Sequence, residues 1–254
     1  MSLTLIGVTA FVTSLVSGML GLGGAVLLIP AYLYLPRLFA IAPLDMRSIS
    51  GMTSVQVLAS ALLGMWTHGS RGSVDSRLAL TMGVPITAAS FAGAMLSGVV
   101  HPDVIVGVFG CMALLGALLM LAAKEPAAMK GPLAYDARVA VTIAVVVGLF
   151  GGIVGAPGAF LLSPLMIAVL KVPTRMTVGT TMAIVVLSAL AASAGKLVTS
   201  QVPLVETTVA VMASLPGVHL GSRFSYVCPP RVLRWVIAVV IFGVGIEMWY
   251  QILF

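Results

Sequence analysis

Apolar residues in this chain run in long unbroken blocks rather than in alternation. Residues 2–36 carry no charge, and further uncharged stretches cover 48–70, 78–102, 104–123, 139–170, 176–195 and 207–222, with 235–254 holding only Glu247. A helix needs roughly 20 apolar residues to cross a hydrocarbon core about 30 Å thick. Each block therefore predicts a membrane-crossing helix, and the first is long enough for more than one. Barrel strands alternate in polarity and are only about 9–11 residues long, which excludes a membrane β-barrel. The predicted fold class is an all-α polytopic integral membrane protein.

Composition supports that reading. Hydrophobic residues make up 60% of the chain and charged ones 8%, against roughly 25% charged in soluble domains. The net charge of +6 comes from 13 Lys and Arg set singly in the polar breaks. They form no basic cluster and no interleaved aromatic face, so they read as topology signals and not as a nucleic-acid footprint. Cys111 and Cys228 make no metal or redox motif. No basic region precedes the first apolar stretch and no A-x-A site follows it, so the first helix is expected to remain in the mature protein.

Sliding the first half along the second exposes an internal repeat. Ser17–Leu33 and Gly151–Ile167 share Gly18/Gly152, Gly21/Gly155, Gly24/Gly158, Ala25/Ala159, Leu27/Leu161, Leu28/Leu162 and Pro30/Pro164, all at an offset of 134. Downstream the offset settles at 128, pairing Arg47/Arg175, Gly51/Gly179, Thr53/Thr181, Gly93/Gly221, Ser97/Ser225 and Pro102/Pro230. The chain thus reads as one membrane domain over residues 1–254, with repeat 1 at 1–123, a polar linker at 124–137 and repeat 2 at 138–254.

If the opening apolar run crosses once, each repeat has four segments and the two point the same way. The cations then split 6:7 across the membrane. If the run turns back at Gly21–Gly24, each repeat has five segments and the two are inverted. Ten cations then fall on one side, with only Arg37, Arg47 and Lys196 on the other. The positive-inside rule favours the second arrangement, with both termini outside. Ala25–Leu35 is short for a spanning helix, so spanning and re-entrant forms of that segment both stay open.

Candidate chemistry gathers at the glycine-rich breaks. Gly18, Gly21, Gly23 and Gly24, and in half two Gly151, Gly152, Gly155 and Gly158, interrupt apolar runs, and Ala25 and Ala159 would begin new half-helices. Unwound backbone inside a membrane persists only against protein or a water-filled cavity. The free amides at the start of such half-helices bind anions, and paired breaks in two repeats point to a transporter's central site. Close helix packing is the competing role for these glycines. On the next helix of each half, Arg47 and Arg175 are cations at matched positions, suited to binding an anion or to snorkelling. Near them Thr53, Ser54, Gln56, Thr180 and Thr181 could orient a ligand or bond back to their own helix. His68 and Lys196 match each other near loop ends, where an interfacial place is expected, and each could carry a coupling proton or ion. His219 reads as a packed core histidine or a proton relay. No nucleophile–base pair and no metal-ligand spacing is present, so neither an enzyme, a metal site nor a cofactor is expected.

The doubled glycine stretch ending in Pro30 and Pro164, the Gly51/Gly179 helices, and His68-Gly69-x-x-Gly72-x-Val74-Asp75 give the whole chain a resemblance to the TauE/SafE family of sulfite and organosulfonate exporters. That resemblance implies a permease of the bacterial inner membrane moving a small anionic, sulfur-containing substrate, coupled to an ion gradient such as protons or sodium. The chain departs from the pattern at Lys196, where half one has His68, and at Pro157, leaving the two half-sites unequal. The expected partners are the substrate, a coupling ion, the lipid bilayer and a second copy in a homodimer, with no nucleic acid. Two other classes stay open: an anion channel or a seven-helix-like receptor with a chromophore on Lys196, and an intramembrane enzyme using His219 with Glu206.

Overall fold

The computed structural model describes residues 2–20, 25–38, 41, 44–68, 74–122, 133, 135–156 and 159–225, with positions 239, 242, 243 and 246 beyond them. Among the described residues the fold is entirely helical: α1 (Leu3–Leu20), α2 (Ala25–Leu38), α3 (Met46–His68), α4 (Ser76–Leu96), α5 (Pro102–Ala122), α6 (Ala137–Val154), α7 (Ala159–Ala168), α8 (Thr174–Val198) and α9 (Leu204–Ser225). Five of these, α4, α5, α6, α8 and α9, contain apolar stretches of 18 residues or more. The breaks expected at Gly21, Gly23, Gly24 and Gly158 lie outside the described residues, as does most of the 124–137 linker. The side chains of Ala25, Ala159, His68 and Arg175 lie outside them as well.

Polarity runs inside out relative to a water-soluble protein. Leu80, Val84, Val99, Val198, Leu204 and Met212 face outward, each at least 65% exposed, while Gln56, Ser14, Ser50, Thr53, Thr177 and Lys196 are completely buried. A surface of large aliphatics is stable only against lipid, and polar groups then turn inward to find partners. The protein is a multi-pass membrane protein of helical type.

Local chemistry sets the helix ends. The Asp75 carboxylate accepts from Leu78 N at 2.8 Å and caps α4, and Asp136 does the same for α6 through Arg138 N at 2.8 Å. Each cap satisfies an amide that the first turn leaves free. α6 stops where Gly155 adopts φ 75°, a left-handed conformation that an L side chain strains to reach. Gly18, Gly151 and Gly152, expected in the breaks, lie inside α1 and α6; in half two the interruption starts at Gly155.

Those glycines serve close packing. The most extensive helix pairs are α1 with α9 and α4 with α6. A Cβ on Gly18 would lie 2.7 Å from Val218 O, and one on Gly217 2.6 Å from Phe11 O. In the other pair, Gly152 sits on Ser90 O and Gly93 on Leu149 O. Backbone meets backbone at four points, the small-residue packing that membrane helices use in place of a hydrophobic drive. Both pairs run parallel: Gly7 faces Val209 where Gly18 faces Val218, and Gly148 faces Ile86 where Gly152 faces Ser90. α4 also runs parallel to α8, with Gly83 against Leu187 and Gly98 against Thr199. α3 and α8 run antiparallel, because Gly51 early in α3 abuts Gln201 just past α8, and Thr180 early in α8 bonds Asp75 just past α3. Since α4, α6 and α8 share one direction, α7 carries the chain back between α6 and α8. Its 10 residues span about 15 Å, half of a hydrocarbon core.

Candidate functional site

The broken end of α6 is the place where the buried polar groups converge. A helix leaves its last carbonyls without intrahelical partners, and in lipid those oxygens must be satisfied by protein. At this end the turn closes through Gly155 N to Gly152 O at 3.3 Å and Ala156 N to Gly151 O at 3.0 Å. Ile153 O then accepts from two side chains, Lys196 Nζ at 2.9 Å and Ser50 Oγ at 3.3 Å. Ser50 can come so close because Gly155 has no Cβ to meet its carbonyl and hydroxyl oxygens.

Lys196 is 0% exposed. Its ammonium donates to Ser97 Oγ at 2.6 Å, to Ile153 O at 2.9 Å and to Gln201 Oε1 at 3.2 Å. An ammonium has three donors, so all are used. Gln201 is fixed in turn through its Nε2, which donates to Thr199 Oγ1 at 2.6 Å and Ser97 Oγ at 3.1 Å. The place expected for Lys196, a loop-edge interface, is therefore corrected. The ends of α4, α6 and α8 come together here, their carbonyls make a negative pole, and the lysine turns inward to meet it.

Arg47 joins the same end. Its guanidinium Nη2 donates to Val100 O at 2.9 Å, three residues past Ser97, and its Nε is buried without a partner. Among the described residues the one ion pair is His101–Asp103 at 3.1 Å, at the surface, so neither Arg47 nor Lys196 is paired with a carboxylate. The result is a buried polar end with two cations and one buried, unpaired guanidinium donor; the Asp45 carboxylate lies beside it but accepts from Arg47 N, at 3.0 Å, and not from the guanidinium.

A second polar group lies between α1 and α3. Gln56 Nε2 donates to Ser14 Oγ at 2.9 Å, with Ser60 Oγ at 3.5 Å, while Gln56 Oε1 is buried and unpaired. Thr53 and Ser54 bond back to Ile49 O at 2.7 Å and Gly51 O at 2.8 Å, the default for helix hydroxyls. Thr180 Oγ1 accepts from Asp75 N at 3.1 Å. Thr181 Oγ1 meets Met166 Sδ at 3.3 Å and Ser163 Oγ at 3.5 Å, beside α7.

Of the residues expected to act, the fold thus gathers Arg47, Lys196 and Gly155 at one end, and sets Gln56, Thr53 and Ser54 along α3. α2 begins at Ala25 and α7 at Ala159. His219 lies on an exposed face of α9 and not in the core, because that face of α9 points away from α1. Glu206 sits in the first turn of the same helix, so about 20 Å of helix separates it from His219 and no acid–base pair forms. Ser97, Gln201 and the Ile153 carbonyl are central yet were not among the expected residues. Ser97 had a signal, its match to Ser225 across the repeat; a backbone carbonyl and a loop glutamine leave none. Among the described residues no cluster of three metal-ligating side chains occurs.

The family model for the sulfite exporter TauE/SafE matches residues 6–248. The chain is 23% identical to "Probable membrane transporter protein YunE" of Bacillus subtilis, over all of both chains. It is 24% identical to "Probable membrane transporter protein YdhB" of the same organism, over 91% of this chain and 93% of that one. A "Probable membrane transporter protein" of Xylella fastidiosa is 25% identical over 65% of this chain and 62% of its own. No solved structure matches.

Proposed function

The chain belongs to the TauE/SafE sulfite exporter family of membrane transporters, and from that premise we propose that it is a secondary permease for a small sulfur oxyanion such as sulfite or an organosulfonate. The observation that carries the reading is the electropositive end built at the α6 break. Arg47 and Lys196 come together there with no ion pair to either among the described residues, and Arg47 Nε is left free to donate. A guanidinium edge suits planar or tetrahedral oxyanions, because its N–H groups pair with neighbouring oxygens. α7 starts just past this break, and its first amides would add donors for the same anion.

Alternating access would come from two inverted halves. α1 and α6 are each 18 residues long, at the repeat offset of 134. The two large parallel pairs, α1 with α9 and α4 with α6, exchange under the repeat relation, and the antiparallel α3–α8 contact lies where the halves meet. These features support rocking of one half on the other about that contact. The same alternation puts ten of the 13 cations on one side, which we read as the cytoplasmic face of a bacterial inner membrane, with both termini outside. A chromophore on Lys196 finds less support, since all three donors of its ammonium are taken.

The test is a thermal-shift screen of purified protein against sulfite, sulfate, thiosulfate, taurine, sulfoacetate and matched carboxylates. A ligand at 100 times its Kd stabilises by about 2.7 kcal/mol. The reading expects selective stabilisation by a sulfur oxyanion that is lost on Arg47→Ala. Equal, negligible shifts with every anion would overturn it.

A further inference from the structure

We infer that the cage where α4, α6 and α8 end is a binding site for a small monovalent cation, which Lys196 fills as a cation tethered to the chain. The cage is made of neutral oxygens only. Ser97 Oγ, Ile153 O and Gln201 Oε1 stand 2.6, 2.9 and 3.2 Å from Nζ, and Ser50 Oγ shares the Ile153 carbonyl. One oxygen is a last-turn carbonyl of α6, one a hydroxyl and one a side-chain amide. The ends of α4 and α6 and the turn after α8 supply them. Cages of this kind, carbonyls from a broken helix joined by hydroxyls, coordinate cations in transporters. Without a carboxylate the cage lacks the charge that divalent ions demand, so one positive charge is its natural complement.

Burial completes the argument. Lys196 is wholly enclosed and has no anionic partner among the described residues. A charge placed there is held by the converging helix-end carbonyls rather than by a counter-ion. Close packing shapes the walls: a Cβ on Gly195 would come within 2.7 Å of Ala94 Cβ, and one on Gly98 within 3.2 Å of Thr199 Cγ2. Shortening the lysine to alanine would leave the oxygens in place and an ion-sized void among them. The repeat places His68 at the matching position of half one, so the lysine is particular to half two. The consequence is that the end of α6 is held closed with no ion taken from solution. This inference does not rest on the transported substrate, because its readout is stability.

The experiment is chemical rescue. Lys196→Ala and Lys196→Met are purified in detergent and melted in choline chloride, then in ammonium, methylammonium, potassium and sodium chloride at equal ionic strength. Both variants should melt below wild type in choline. Ammonium or methylammonium should restore at least half of the lost Tm to Lys196→Ala in a saturable way. Lys196→Met, whose side chain fills the void, should not respond, and neither should wild type. An alanine variant that melts alike in every salt would overturn the inference and leave Lys196 a hydrogen-bond staple. Gln201→Glu and Gln201→Leu, made with the lysine intact, keep the inference testable if Lys196→Ala fails to accumulate. A carboxylate facing a resident cation should hold Tm at or above wild type, while leucine lowers it. A glutamate variant as unstable as the leucine variant would also overturn it.

Discussion

Gly155→Ala tests whether the α6 break is built as described. The position has φ 75°, and an L residue there costs about 1–2 kcal/mol. The added Cβ also drives into Ser50, against its carbonyl oxygen and its hydroxyl. The carbonyl belongs to the α3 backbone and cannot swing aside, so overpacking adds about 1–3 kcal/mol. The sum, about 2–5 kcal/mol, corresponds to a fall of about 5–20 °C in Tm for a chain of this size. Thermal unfolding in detergent, followed by intrinsic fluorescence, reads it directly. Gly155→Asn separates the two causes, because asparagine tolerates the left-handed region but still carries a Cβ. If contact with Ser50 dominates, Asn is nearly as damaging as Ala. Gly116→Ala is the control: its Cβ would meet Phe160 and Leu161 no closer than 3.6 Å, and Tm should stay within about 2 °C. A Gly155→Ala protein as stable as wild type would refute the account of this break.

Other consequences can be measured alongside. Gln56→Leu removes the buried, unpaired Oε1 together with the Nε2 bond to Ser14, two losses that offset each other, and should leave Tm within about 3 °C of wild type in detergent; a larger fall would show that the bond to Ser14 outweighs the unpaired oxygen. Asp75→Ala frees the amide of Leu78 and should cost about 1 kcal/mol, seen as faster amide hydrogen exchange in the first turn of α4; unaltered exchange would contradict the cap. Single cysteines at exposed His101 and Lys171, in a chain whose native cysteines are replaced by serine, should react with an impermeant maleimide from opposite faces. Reaction from the same face would favour repeats that point the same way.

Much of the architecture was legible in the sequence because lipid imposes a length on every crossing. Uncharged runs marked α4, α5 and α9, and the run 139–170 holds two helices, α6 and α7, with the left-handed Gly155 after the first. Local geometry was less so. Gly152 and Gly155 look alike in sequence, yet one packs against Ser90 inside a helix and the other ends that helix, a difference set by which neighbour approaches. Lys196 stands near a loop, so its exposure was a fair expectation. Only the convergence of three helix ends, a tertiary event, gives it acceptors inside. His219 differs in the opposite direction: Gly217 and Val218 beside it pack against α1 while its own position is exposed, so apolar context did not mean core.

Counterflow in proteoliposomes tests the central claim most directly. Vesicles holding the purified protein and a high concentration of unlabelled sulfite or taurine are diluted into trace amounts of the same anion carrying sulfur-35. The account predicts transient accumulation of label above the external concentration, absent from protein-free vesicles and from vesicles loaded with chloride, and much reduced by Arg47→Ala. Label that never exceeds the protein-free control, for any sulfur oxyanion tried, would contradict it.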